Sequence, residues 1–249
     1  MVHIRTSEEI KKIRESGRIV YETIMLVGRE IRPGITTRRL DRLADEFIRS
    51  QGGRSAFKGY RGFPGSICTS INEQVVHGIP SDRVLESGEI ISIDVGVRKN
   101  GYIGDAARTF AVGTVADDRL RLMRVTEESL NKGIAQARPG NYLSDIGHAI
   151  QVYVERFGYG VVRELVGHGV GRELHEPPEI PNYGEPGRGP VLKVGMCLAI
   201  EPMITMGTYE VRLLRDGWTV VTEDRLPSAH YEHTIAIGPD GPQILTQVA

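Results

Sequence analysis

Two aspartates that fall on one face of a single hairpin are the first sign of chemistry in this chain. Residues 89–112 read EIISIDVGVRKNGYIGDAARTFAV, two runs rich in Ile, Val and Ala around Asn100-Gly101, a dipeptide that favours a type I′ two-residue turn. With Asn100 and Gly101 as the loop, Lys99 pairs with Tyr102, Asp94 faces Ala107 and Asp105 faces Gly96. Alternation then sets Asp94 and Asp105 on the same face as diagonal neighbours, roughly 7–8 Å apart at Cα. Carboxylates so placed in an apolar sheet repel each other and lose hydration, so something must neutralise them. A structural pair held by backbone N–H groups is one solution. With no Lys or Arg between the two on that face, the pattern favours a divalent cation.

A second candidate is GHGVGRELHEPPEI, residues 167–180, with His168 and His175 seven positions apart among glycines that let backbone approach whatever the imidazoles bind. His-x6-His alone is weak, and a glycine loop with hydrogen-bonded histidines is the commoner case. Of the other histidines, His3 and His148 read as surface or satisfied side chains. His233 adjoins Glu232 on a strand and points to the opposite face, whereas His230 shares the parity of Glu232 and can approach the rim of a site.

The elements that must position these groups follow from periodicity. Thr6 and Glu9 form a capping box for a helix reaching Ile31, with Ile10, Ile13, Val20, Ile24, Val27 and Ile31 in helical spacing, stopped by Pro33-Gly34. Thr36 or Thr37 caps a second helix with Leu40, Leu43, Phe47 and Ile48 on its apolar side, ending at Gly52-Gly53. Residues 57–80 read as loop and short strands. A third helix runs from Asp117 or Asp118 to Arg138 and a fourth from about Ser144 to Phe157, and 161–249 is mostly β, with Asp216-Gly217 as another hairpin turn. The halves echo one another. Arg32-Pro33-Gly34 recurs 106 positions later as Arg138-Pro139-Gly140, and at that offset Leu40 meets Ile146, Phe47 meets Tyr153 and Gly52 meets Gly158. SGEIISIDVGV (87–97) aligns with VGMCLAIEPMI (194–204), setting Asp94 against Glu201, and DAARTFAVG (105–113) resembles EHTIAIG (232–238), setting Asp105 against Glu232. Such an echo implies two similar α+β halves, about 1–115 and 116–249, around a pseudo-twofold axis where four carboxylates meet.

Composition narrows the class. With 249 residues, 40% hydrophobic, 25% charged and a formal net charge of −1, the chain is long enough for a sizeable core and carries no excess charge that would recruit nucleic acid. No apolar run approaches the ~20 residues that span a bilayer, and the first residues lack the apolar stretch of a secretory signal. Two cysteines, Cys68 and Cys197, are too few for a disulfide framework or a Cys-rich zinc site, which makes the cytoplasm, with both thiols reduced, the default.

Taken together, GHGVGRELHEPP, the Asp94/Asp105 hairpin, IEPM (200–203) and YEHT (231–234) occur in the order found in the short, type I methionine aminopeptidases, and the chain resembles that family from its first helix to Ala236. The resemblance implies an α+β pita-bread fold in one catalytic domain, residues 1–249. It implies an enzyme that hydrolyses the N-terminal methionine from nascent polypeptides, at the ribosome, when the second residue is small. Asp94, Asp105, His168, Glu201 and Glu232 would hold two divalent ions, with Asp105 and Glu232 bridging, Asp94 completing one site, and His168 with Glu201 the other. Oxygen-rich ligation with one imidazole suits Mn, Fe or Co. Two ions about 3.5–4 Å apart polarise a carbonyl and make a bridging water easily deprotonated. Glu201 would also relay a proton, and His77 and His175 match the family's two non-ligand catalytic histidines. The methionine pocket would be built by Phe57, Tyr60, Phe63, Cys68, Leu174 and Trp218, with Phe57 and Phe63 departing from the Cys and Tyr often seen there. Asn72, Gln74 and Ser228 match positions where relatives hold a monovalent cation, and His230 stands where the family often has Gln.

Prolidase and aminopeptidase P share this fold but generally carry an extra N-terminal domain, for which a first helix at Thr6 leaves no room. Type II methionine enzymes insert a helical segment, and none interrupts 175–232. A catalytically dead binding module would have lost ligands, whereas all five are present. With no Cys/His-rich region ahead of the first helix, the bare core fits a bacterial or organellar form, expected as a monomer.

Overall fold

Asn100 and Gly101 have φ of 50° and 80°, the left-handed backbone that a type I′ turn demands. Around them the strands Ile90–Lys99 and Tyr102–Ala111 pair antiparallel, with Lys99 opposite Tyr102, Asp94 opposite Ala107 and Asp105 opposite Gly96, the register the spacing predicts. The computed structural model describes residues 2–247, and this hairpin runs through its middle. Its two faces do different work. Ile91, Ile93, Val95 and Val97 turn towards two helices and are fully buried, while Ser92, Asp94 and Gly96, one residue out of phase, face the other way.

Helix α1 (Ser7–Glu30) opens on the capping box: Thr6 Oγ1 accepts from the Glu9 N–H at 3.3 Å, and Glu9 Oε2 accepts from the Thr6 N–H at 2.9 Å. Its buried stripe contains Ile13, Val20, Ile24 and Val27, with Ile19 added. Helix α2 (Thr37–Ser50) is capped by Thr36 and buries Leu40, Ala44 and Ile48; Leu43 and Phe47 are only half-buried. Together they cover the outer face of the hairpin sheet. Helices α3 (Asp117–Gln136) and α4 (Leu143–Glu155) cover a second sheet in the same way, packing Leu122, Ile134, Ile146 and Ile150 on Leu198, Ile200, Ile235 and Ile237.

That second sheet carries the other half of the candidate groups. Cys197–Ile200 pairs antiparallel with His233–Gly238, Ile200 opposite His233, so the two strands aim at Glu201 and Glu232 just beyond the pair. Gly167–Gly169 pairs on the other edge of Cys197–Ile200, His168 opposite Ala199, and Glu176–Ile180 follows.

The echo in the sequence is also an echo in hydrogen bonds. Gly34 N–H donates to Leu85 O and Gly140 N–H to Leu192 O; Leu85 N–H donates to Ile35 O and Leu192 N–H to Asn141 O; Thr37 N–H donates to Arg83 O and Leu143 N–H to Pro190 O. Between the halves runs a seam. Glu232 and Ala107 exchange backbone hydrogen bonds at 2.9 and 3.4 Å. The Thr234 hydroxyl accepts from the Asp105 N–H at 3.0 Å and donates to the Asp105 carbonyl at 2.7 Å. The Thr109 hydroxyl does the same for His230, at 3.0 and 2.9 Å.

Asp216-Gly217 lies in a hairpin turn, as the sequence predicts. The strands Val211–Leu213 and Val220–Thr222 pair with Leu213 opposite Val220, leaving residues 214–219 as a wider loop. The Asp216 carboxylate accepts the N–H groups of Trp218 and Thr219 and the Thr219 hydroxyl, a side-chain turn that reinforces the backbone turn in which Gly217 N–H donates to Leu214 O and fixes the base of Trp218. Among the described residues no helix is long and apolar enough to cross a membrane.

Candidate active site

The inner faces of both sheets meet at one cavity of about 800 Å³. Asp94, Asp105, His168, Glu201 and Glu232 stand at its floor, His77 and His175 at its side, and Phe57, Tyr60, Phe63, Cys68, Leu174 and Trp218 line the rest. Ligand atoms of Asp105, His168 and Glu232 lie within 4.8 Å of one another, and so do those of Glu201, His230 and Glu232. Asp94 belongs to neither trio, though it shares the floor and lies opposite Cys68 in the register.

The donor chemistry fits a cation. Asp94 Oδ1, Asp105 Oδ1 and Glu232 Oε1 are buried and have no hydrogen-bond partner among the described residues, an arrangement that costs free energy for any carboxylate and more for three side by side. Burial, and then repulsion from the other carboxylates, raises Asp105 and Glu232 well above the usual carboxylate range; Asp94 and Glu201 are also raised, by burial first. His168 supplies the clearest sign. Its Nδ1 lies 3.0 Å from the Gly169 carbonyl, which can only accept, so the ring proton is on Nδ1 and the lone pair on Nε2. That lone pair faces Glu201 Oε1 at 3.4 Å and Asp105 Oδ2 at 4.0 Å. Acceptor against acceptor is repulsive until a cation lies between them. A ring fixed through its distal N–H is the usual condition of a metal-ligating histidine, and burial keeps it neutral by pushing its pKa down to about 3.

The glycines beside His168 have a different use from the one the motif suggests. A Cβ on Gly167 would lie 2.4 Å from the Ala199 carbonyl, and one on Gly169 would lie 2.4 Å from the Pro177 carbonyl. They admit neighbouring strands rather than a ligand. His175 follows on an exposed stretch, its ring 4.4 Å from that of His168 and its Nδ1 2.8 Å from the Tyr60 hydroxyl; burial and then Arg61 lower its pKa. His77 adopts φ 58°, unusual for a side chain with a Cβ, and packs edge-on to Trp218 at 6.4 Å. Burial, with His230 and His175 adding to it, pushes its pKa down to about 4.

Other positions fall outside this constellation. The side chains of Asn72, Gln74 and Ser228 are each committed elsewhere: Asn72 Oδ1 accepts from Ile90 N–H and Arg119, Gln74 Oε1 from Ile71 N–H, and Ser228 Oγ donates to Ile204 O. His233 bonds Thr246 and His148 bonds the Gly184 carbonyl, satisfied side chains as their parity and setting suggest. His230 does lie near the site, as its parity allows, its ligand atom within 4.8 Å of those of Glu201 and Glu232, but at 2% exposure it is buried rather than at a rim; strand parity reveals a face but not a depth. Arg61, Glu176 and Glu179 also line the cleft. Glu176 is the one a motif could have flagged, since its carboxylate gathers Arg5 and the N–H groups of Arg172 and Glu173 and so braces the loop carrying His175.

Buried acids and an imidazole at the end of an apolar cleft define a metal-dependent hydrolase. The family model for metallopeptidase family M24 matches residues 11–239. A methionine aminopeptidase of Clostridium acetobutylicum is 56% identical over 99% of both chains. The crystal structure of a methionine aminopeptidase from Thermotoga maritima superposes with a TM-score of 0.98 at 46% identity, covering 100% of each chain. The prolidase of Pyrococcus furiosus superposes at 0.81 and 26% identity over 99% of this chain and 66% of its own, and the fold is the pita-bread fold common to both. The chain belongs to metallopeptidase family M24 and, within it, to the methionine aminopeptidases.

Proposed function

We propose that this enzyme removes the N-terminal methionine of nascent polypeptides whose second residue is small, using two divalent ions held by Asp94, Asp105, His168, Glu201 and Glu232. The observation that carries the reading is the continuity of one cleft: its apolar, aromatic wall runs directly into the unpartnered carboxylates. An unbranched thioether suits that wall, through flexibility and sulfur–aromatic contact, and Phe63 stacked edge-on against Trp218 at 5.1 Å gives it a rigid end.

When bound, the ions supply Lewis acidity to the scissile carbonyl and acidify a water molecule. The protein does the rest. Glu201 is the more open of the His168 partners, its side chain 14% exposed against 5% for Asp105, and so is the group placed to take a proton from that water and pass it to the departing amine. His175, with Nδ1 on the Tyr60 hydroxyl, turns Nε2 to the substrate. A tyrosine O–H donated to Nδ1 leaves the proton on Nε2, where it stabilises charge developing on the peptide oxygen. His77, neutral by burial, hydrogen-bonds the substrate from the side of Trp218. The four acids against two dications leave the centre close to neutral, and Mn, Fe or Co suit its oxygen-rich donors.

One catalytic unit spans residues 1–249, with halves about 1–115 and 116–249; the hydrogen bonds repeated between them support that division. The enzyme works as a monomer in the cytoplasm on chains leaving the ribosome, a setting in keeping with Cys68 and Cys197 as buried free thiols. A monovalent cation beside Asn72, Gln74 and Ser228 would be held by backbone carbonyls, given that their side chains are engaged.

Chelation should abolish hydrolysis of a Met-Ala-Ser peptide, and Mn, Fe or Co should restore it, since among the described residues no side chain is arranged as a nucleophile. Met followed by Lys, Leu or Trp should be cleaved poorly. Full activity after thorough demetallation, or a preference for X-Pro dipeptides, would overturn the reading.

A further inference from the structure

Arg61 holds its place in the cleft wall at a backbone cost. It lies in the turn Tyr60–Gly62 with φ 48° and ψ 24°, the left-handed region where a residue with a Cβ is uncommon. Gly59 and Gly62 on either side are left-handed too, at φ 83° and 90°, and a glycine at 61 would meet no such penalty. Backbone hydrogen bonds tie the turn down, Tyr60 N–H to Phe57 O at 2.8 Å and Phe63 N–H to Tyr60 O at 2.9 Å. A strained residue that persists in a cleft wall points to a use for its side chain.

That side chain is exposed and lines the cleft. Its guanidinium lies 5.3 Å from the centroid of the Tyr60 ring, a stacking position that steadies a cation. Among the described residues no carboxylate lies within 4.0 Å of it. The charges of the loop around His175 are engaged with others: Arg172 with Glu9 at 3.8 Å, Glu173 with Arg98 at 3.5 Å, and Glu176 with Arg5. Glu179 stands opposite His168 in the strand register, on the side of the metal ligands rather than of Tyr60.

The placement decides which part of a substrate meets the guanidinium. The Tyr60 ring is 5.4 Å from the His175 ring, so the breadth of one tyrosine separates Arg61 from the group beside the scissile bond. An extended peptide crosses that breadth in about two residues, at ~3.3–3.6 Å each. With a small second residue, the first substrate side chain able to reach Arg61 is that of the third. An exposed, unpaired guanidinium suits a carboxylate, which it grips through two parallel N–H···O bonds. Its charge is felt at His175, whose pKa is lowered first by burial and then by Arg61.

We propose that Arg61 is a specificity-determining residue that favours an acidic side chain, Asp or Glu, at the third position of the substrate. This deepens, and rests on, the methionine reading above. The contact is remote from the reacting atoms and forms alike in ground and transition states, so it acts through KM rather than kcat.

The test compares hydrolysis of Met-Ala-Asp-Gly-amide and Met-Ala-Asn-Gly-amide by the metal-loaded enzyme. The two peptides differ by one charge, and neither ends in a free carboxylate that could occupy Arg61 instead. The ratio of their kcat/KM values, taken within each protein, cancels any general change that a substitution brings. An exposed ion pair is worth about 1.5- to 5-fold, so the wild type should favour Asp by that factor at low salt and lose the preference in about 0.5 M NaCl. Arg61→Gln should bring the ratio to unity, and Arg61→Glu below it. Arg61→Gly, which suits the left-handed backbone, should also give unity and serves if another variant fails to fold. A wild type that cleaves both peptides equally, or a preference that survives in Arg61→Gln and Arg61→Gly, would overturn the inference and leave the methionine reading standing. A metal-loaded wild type that cleaves neither peptide overturns the methionine reading, and this inference with it.

Discussion

Removing the Tyr60 hydroxyl should slow the enzyme only through His175. The two share one hydrogen bond of 2.8 Å between uncharged groups near the mouth of the cleft, where water can replace it in part. A neutral hydrogen bond of this kind is worth about 0.5–1.5 kcal/mol, so Tyr60→Phe should lower kcat about 2- to 12-fold. KM should hold, because phenylalanine keeps the ring in the apolar wall. His175→Ala removes the proposed transition-state donor and should cost on the order of 10²–10³ in kcat. The informative molecule is the double variant. If Tyr60 only orients the imidazole, then Tyr60→Phe in the His175→Ala background should cost nothing further, and the coupling energy should equal the whole of the single-variant effect. Steady-state kinetics on a Met-Ala-Ser peptide for all four proteins, each with its metal content measured, closes the cycle. A Tyr60→Phe penalty that survives the loss of His175 would refute the reasoning and place the hydroxyl on the substrate. Metal lost in step with activity in His175→Ala would make His175 a ligand.

Glu201→Gln should weaken metal binding modestly and slow turnover severely, because proton uptake and delivery both fail; near-normal kcat would move the relay elsewhere, with His77 the first place to look. Gly167→Ala drives a Cβ to within 2.4 Å of the Ala199 carbonyl, and parting those strands should cost about 1–3 kcal/mol, read by calorimetry, and loosen metal binding through His168. Glu9→Gln should cost about 1 kcal/mol through the helix cap. The Thr6 N–H, then the Tyr102 hydroxyl, lower the Glu9 pKa from 4.5 to about 2. Its contribution is therefore full above about pH 4.5 and lost as pH falls through about 2, and denaturation curves of variant and wild type should converge there.

Much of this is legible in the sequence. Asn100-Gly101 fixed the turn, the turn fixed the register, and the register put Asp94 and Asp105 on one face while the odd-numbered neighbours Ile91, Ile93 and Val95 went to the helices. Only local rules of turn and strand geometry act there, and nothing distant in the fold competes with them. What escaped depends on distance across the fold. Parity put His230 on the side of Glu232 but could not say that Thr109, 121 positions away, pins it beneath the floor. The glycines around His168 declared a close approach, and only the third dimension shows that Ala199 and Pro177 are what approach. At Asp216-Gly217 the dipeptide marks the hairpin turn between Val211–Leu213 and Val220–Thr222 but not its length, which depends on the Asp216 carboxylate bonding Trp218 and Thr219.

The seam between the sheets has a further consequence for the order in which the protein assembles. Asp94 and Asp105 come from one side of it and His168, Glu201 and Glu232 from the other, so no stretch of chain shorter than 94–232 contains the full set of proposed ligands. Contacts so distant in sequence form late, after loop closure has been met by the local hairpins and helix pairs. An ion therefore finds its complete cage only once Glu232 has locked onto Ala107 and Thr234 onto Asp105. Binding that completes so late acts on the native state more than on the transition state, so metal held by this set should lengthen the life of the folded molecule while leaving the speed of its formation almost untouched.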